Sequence, residues 1–135
     1  MGAGVPEIER FLLEYADALA AADGERVADL WELPALVMSD EGTHLVTERR
    51  EVVEFFSAAA TQYREVGIAS TRPEHLAVEH LSDRLTSADV RWLGIDAEGR
   101  PTEHRELSTY LLRTGEDGRL RIQVAVARPS RIPAD

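Results

Sequence analysis

The hydrophobic period of this chain changes once, near Gly67, and that change sets its class: helices first, then strands. Upstream, Ile8, Phe11, Leu12, Tyr15 and Leu19 recur at helical spacing and make one apolar stripe. Pro6 suits the first turn of this helix, and Glu7 and Glu9 complement its positive end. The Ala-rich stretch carries it to Ala22, and Asp23-Gly24 stops it. A short second helix is expected next, with Val27, Leu30 and Trp31 inward, ending before Pro34. Ala35 to Ser39 and Thr43 to Val46 read as a small hairpin about the turn Asp40-Glu41-Gly42. Thr47 then stands where a third helix needs its cap, and Val52, Phe56, Ala59 and Tyr63 form that helix's main stripe.

Downstream the alternation predicts four strands. Leu76, Val78 and His80 share one face of the first, and Ala88, Val90, Trp92 and Gly94 one face of the second. The third runs from Thr102 to Arg113, and Gly115 to Gly118 is a hairpin loop. Leu120, Ile122, Val124 and Val126 give the last strand an inward face that is wholly aliphatic. The expected architecture is therefore α+β: a four-strand antiparallel meander burying one face under three helices. The other face carries Leu93, Ile95, Leu107 and Leu111, more apolar than a solvated face, so a homodimer joined through this outer face is expected. The tail from Pro129 reads as frayed, and the ordered part as about residues 6 to 128 of a single domain.

Composition removes several function classes. The chain has 135 residues, 44% of them hydrophobic, enough for one core and too few for two. No apolar run is long enough to span a membrane, and the start lacks the features of a signal peptide, so a cytoplasmic protein is the expectation. There is no cysteine, which excludes a disulfide scaffold and a thiolate metal site. A net charge of -10 without a basic run argues against nucleic acid. The four histidines never stand at metal-ligand spacing, and no phosphate loop or Ser-His-Asp motif occurs, so no metal or cofactor is expected. Lysine and asparagine are absent, and the Ala, Arg, Asp and Val richness fits a GC-rich bacterial genome.

The order of elements carries a resemblance. With the Tyr15…Ala22-Asp23-Gly24…Leu30-Trp31 opening and the Leu112-Arg113…Asp117-Gly118-Arg119-Leu120-Arg121-Ile122 hairpin, the chain resembles the nuclear transport factor 2-like superfamily from about Pro6 to Arg128. Within it the likeness is to the SnoaL-like and steroid delta-isomerase-like groups. The resemblance implies a cone, in which helices cover a curved sheet and a pocket opens at the wide end. Its members include isomerases, cyclases, dehydratases and non-catalytic binding or dimerisation modules, so the fold does not choose among them. The isomerase mechanism uses a base aspartate and an oxyanion hole of a tyrosine and a protonated aspartate. By resemblance the tyrosine falls on Tyr15, the base on or beside Ser39 with Asp40 next door, and the protonated aspartate near Tyr110.

Each candidate has a plainer reading beside it. Tyr15 is a phenol donating into the pocket, or a core aromatic. Asp40 is a general base, or the ordinary Asp of a turn. His104, in phase with Glu106, Ser108 and Tyr110, is one half of an acid-base pair, or a solvated histidine near a strand's start. Trp31, Met38, Phe56, Tyr63, Trp92, Tyr110 and Val124 form a lining suited to a flat apolar molecule, or simply core. Tyr15, Trp92 and Tyr110 are expected to border one cavity. Three functions stay open: a pocket protein binding an apolar ligand, a cofactor-free acid-base enzyme (isomerase, cyclase or dehydratase) using Tyr15 with Asp40 or His104, and a non-catalytic dimerisation module with a vestigial pocket.

Overall fold

The structure, a computed structural model, describes residues 3–128. The tail from Pro129 lies outside the described residues. Helices α1 (Val5–Ala20) and α2 (Gly24–Asp29) are followed by strands β1 (Trp31–Ser39) and β2 (Gly42–Val46) and helix α3 (Arg49–Glu65). Strands β3 (Ser70–His80), β4 (Leu85–Ile95), β5 (Pro101–Thr114) and β6 (Leu120–Arg128) complete the chain. One curved, unclosed six-stranded sheet results, in the order β2-β1-β6-β5-β4-β3.

The stripe of α1 is buried as its spacing dictates, with Ile8 and Leu12 fully enclosed. Ala22 adopts a left-handed conformation (φ 56°) after the helix, and Asp23 caps α2 by accepting a hydrogen bond from the Arg26 backbone N–H. Gly24 permits the close approach of α2 to α3, since a Cβ there would stand 2.7 Å from the Val53 carbonyl oxygen. The cap of α3 is Glu48 rather than Thr47, and the Glu51 carboxylate accepts from the backbone N–H groups of both residues.

Three departures from the sequence reading bear on the site. The second helix ends at Asp29, so Trp31 opens a strand instead of closing a helix. The small hairpin joins the main sheet, because β1 pairs parallel with β6 while every other pairing is antiparallel. Strand β6 carries a bulge, with Ile122 opposite Leu112 but Val124 opposite Leu111. The extra residue, Gln123, reverses the alternation, so Ile122 and Ala125 face inward with Leu112 and Tyr110. Val124 turns to the outer face, while Val126 still borders the cavity beneath α3.

The core is the cluster of α1, α2 and inner-face side chains, including Trp31, Ala88, Val90, Trp92, Leu112 and Ile122. Helix α1 packs chiefly on β3, and the His80 imidazole Nε2 donates to the Ala3 carbonyl at 2.6 Å across that contact. Helix α3 packs on α2 and α1 and stands off the sheet, leaving a gap between its apolar face and the strands. On the outer face Leu93 and Ile95 are buried within the chain, so the continuous patch expected there does not include them.

Candidate functional site

The gap beneath α3 is a cavity of about 510 Å³. Its roof comes from α3 through Phe56, Ala59, Ala60 and Tyr63, and its floor from the inner faces of β4 and β5. The β5 contribution follows from strand periodicity: His104, Glu106, Ser108 and Tyr110 all point the same way. Tyr15 and Trp31 close the deep end, and Val66 and Phe55, exposed by 68% and 59%, form an apolar lip.

The deep end is an aromatic box. The Tyr15 ring stands edge-on to Phe56 and to Tyr110, each at 6.1 Å between centroids, with Trp92 at 6.4 Å. Edge-to-face pairs fix ring positions and add about 0.5–1.5 kcal/mol each beyond their burial. Trp92 Nε1 donates to the Tyr110 hydroxyl at 3.0 Å. Because an indole N–H only donates, Tyr110 must accept there and keeps its own proton to give elsewhere. The Tyr15 hydroxyl makes no hydrogen bond among the described residues, although the ring is only 3% exposed. Trp31 Nε1 lies close enough to favour a Tyr15 anion, yet the two are not aligned as a hydrogen bond and the indole N–H is buried without a partner.

Nearer the mouth, Tyr63 OH donates to Glu106 Oε2 at 2.5 Å, and His104 Nε2 lies 3.1 Å from the same oxygen. Gly94 lies beneath this group; a Cβ there would come within 3.0 Å of the His104 Cβ and 2.8 Å of Ile68 Cδ1. Arg64, also at the mouth, donates to the Ala20 carbonyl at 3.1 Å.

The electrostatics keep all three phenols protonated at neutral pH. Burial pushes the Tyr15 hydroxyl well above the ordinary phenol range, and Tyr110 adds to the effect. Burial also raises Tyr63, reinforced by the hydrogen bond and charge of Glu106. Tyr110 is pushed up to about 12, first by burial, with Ser108 and Trp92 opposing the rise. The cavity is thus an apolar box holding phenol donors at its deep end and one half-exposed carboxylate at its mouth.

Seven of the ten residues proposed from sequence line this space: Tyr15, Trp31, Phe56, Tyr63, Trp92, His104 and Tyr110. Three do not. Asp40 sits exposed in the β1–β2 turn and is absent from the lining. Met38 is absent from the lining, one strand position out of phase with Val37, which does line the cavity. Val124 is turned outward by the β6 bulge. The sequence reading missed Glu106 as the hub: its strand phase was legible, but nothing local announced that Tyr63 reaches it from α3.

No curated protein matches the chain in sequence. The family model described as NTF2-like protein (DUF6841) matches residues 6–130. Among solved structures, a protein of unknown function with a cystatin-like fold from Nostoc punctiforme PCC 73102 is similar at TM-score 0.74 and 10% identity, over 95% of this chain and 94% of that one. A putative aromatic ring hydroxylase from Novosphingobium aromaticivorans reaches TM-score 0.69 at 15% identity, over 95% and 89% of the two chains. A protein from Catenulispora acidiphila in complex with S-DNPA reaches 0.66 at 18%, over 91% and 90%. At such identities the likeness shows the fold alone.

Proposed function

The chain belongs to this NTF2-like family, and from that premise we propose that it is a small-molecule pocket protein of the SnoaL-like type, binding an apolar ligand in the cone between α3 and the sheet. The observation that carries the reading is the cavity of about 510 Å³, walled by aromatic rings and lined by Tyr15, a buried residue whose hydroxyl has no hydrogen-bond partner among the described residues. A chain with a filled core leaves no such gap; a small-molecule site combines apolar walls with a few placed polar groups. The neighbour from Catenulispora acidiphila, in complex with S-DNPA, supports the idea that this fold accommodates a small molecule.

The test uses the only two tryptophans, Trp31 and Trp92, both on the cavity wall. A flat apolar probe should change their emission saturably, and Ala59→Phe, which fills the space from α3, should abolish the change. Emission that never saturates, or that is indifferent to Ala59→Phe, sinks the proposal.

A second reading, a cofactor-free acid-base enzyme, is favoured by one observation: His104 and Glu106 lie 3.1 Å apart within the cavity. There Tyr15 would stabilise a developing oxyanion and His104 would move the proton. Asp40, the other candidate base, is absent from the cavity lining, which favours His104 in this reading.

A further inference from the structure

The carboxylate of Glu106 is gripped by one oxygen. Tyr63 from α3 and His104 from β5 both address Oε2, at 2.5 and 3.1 Å. Among the described residues, Oε1 has no hydrogen-bond or ion-pair partner. An ionised carboxylate accepts at about four lone-pair sites, so half of its capacity is left for something else. Among the described residues Glu106 makes no ion pair with an arginine: Arg64 is the arginine of the lining, and its guanidinium donates to the Ala20 carbonyl. Holding three side chains in one geometry costs rotamer entropy, which an exposed glutamate left to water does not incur.

We infer that Glu106 Oε1 is the polar anchor at the mouth of the cavity, and that the ligand is an apolar, ring-containing molecule bearing a hydrogen-bond donor, a hydroxyl or an amine. The inference rests on the ligand-cavity reading above. The polarity of the site runs in one direction along β5. Tyr15 and Tyr110 offer protons at the deep end, and Glu106, four residues and roughly 13 Å of strand before Tyr110, offers lone pairs at the mouth. A molecule that complements both ends carries its acceptor inward and its donor outward.

The test compares 2-naphthol, 2-(aminomethyl)naphthalene and 2-methoxynaphthalene by NMR titration of the full chain. At least one of the two donor-bearing probes should bind on the order of tenfold tighter than the methoxy compound, the expected worth of a hydrogen bond to a charged acceptor. Which one does so distinguishes a cationic from a neutral donor. Glu106→Leu should erase the preference for the donor-bearing probes. Glu106→Gln keeps the shape, guards against a folding defect, and should reduce the preference through loss of the charge. Equal binding of the three probes, or a preference undiminished in both variants, overturns the inference while the cavity reading stands. Binding of none of them overturns both.

Discussion

Two tyrosines in the same aromatic box differ in what their hydroxyls hold, and that difference predicts opposite phenotypes. The Tyr110 hydroxyl satisfies the buried Trp92 Nε1. Tyr110→Phe therefore strands a donor in an apolar interior, and chemical denaturation should report a loss of about 1–3 kcal/mol. The Tyr15 hydroxyl has no protein partner among the described residues, so Tyr15→Phe should leave stability close to that of the parent chain. Its cost should fall on the ligand: a loss of roughly three- to tenfold in affinity for a molecule presenting an acceptor, the value of one net hydrogen bond. If an activity is found, Tyr15→Phe should lower kcat far more than it changes KM, and Asp40→Ala should change neither. A Tyr15→Phe variant as destabilised as Tyr110→Phe would show the phenol to be structural. The sequence made Tyr15 visible through its place on the α1 stripe, but nothing in it separated a tied hydroxyl from a free one. That distinction is made by Trp92, 18 residues from Tyr110 along the chain, whose indole reaches the hydroxyl from the adjacent strand although its register partner is Glu106.

At the scale of elements, α1, α3 and the β4–β5 face were legible because the irregularities of pairing at Pro73/His75 and Leu93/Ile95 leave the alternation around the Trp92–Glu106 pair intact: Trp92, His104, Glu106 and Tyr110 point where alternation puts them. Strand β6 was not legible beyond Gln123. Its Val124-Ala125-Val126-Ala127 run is apolar at every position, so an inserted residue leaves no mark on the pattern. The bulge is fastened by Gln123 itself, whose Oε1 accepts from Arg113 at 2.5 Å and whose Nε2 donates to the Pro34 carbonyl at 3.0 Å. Strand β1 was read short for a related reason: Leu30 and Trp31 extend the apolar spacing of α2 although the chain has already turned. The β5–β6 hairpin carries a titratable tie. Arg121, with the Arg119 backbone N–H, holds the Asp117 carboxyl at about 2, below its ordinary 3.8. A carboxylate depressed in the folded state stabilises it above the unfolded pKa, and that contribution is lost as pH falls through the folded value. Asp117→Asn should therefore lower the thermal midpoint modestly at pH 7, and the gap between variant and parent should close between about pH 4 and pH 2. A gap that persists at pH 2 would trace the effect to turn geometry instead of charge.

At the scale of the molecule, the cone has two apolar surfaces, and only the inner one is occupied by its own helices. The outer face was expected to be apolar through Leu93, Ile95, Leu107 and Leu111, but Leu93 and Ile95 are buried, and Glu74 ties Arg91 and Arg105 across their half at 3.0 and 2.8 Å. The apolar row lies on the other half. Pairing sets Leu111 beside Val124, Val124 beside Leu36, and Leu36 beside Leu45, one line across β5, β6, β1 and β2. Met38 and Leu45 on this half are exposed by 37% and 56%. The same bulge that removes Val124 from the cavity thus supplies this row. A homodimer joined through the outer face should use it, each copy offering the same strip to the other about a two-fold axis. Sedimentation at micromolar concentration should give twice the 15.0 kDa of the chain. Val124→Arg, at the centre of the row, should give the monomer, since a cation facing its own symmetry mate cannot be paired there. Leu93→Ala should weaken the fold without changing the oligomeric state, because its side chain is already enclosed. A parent chain that sediments as a monomer would leave the outer strip without a partner of its own kind.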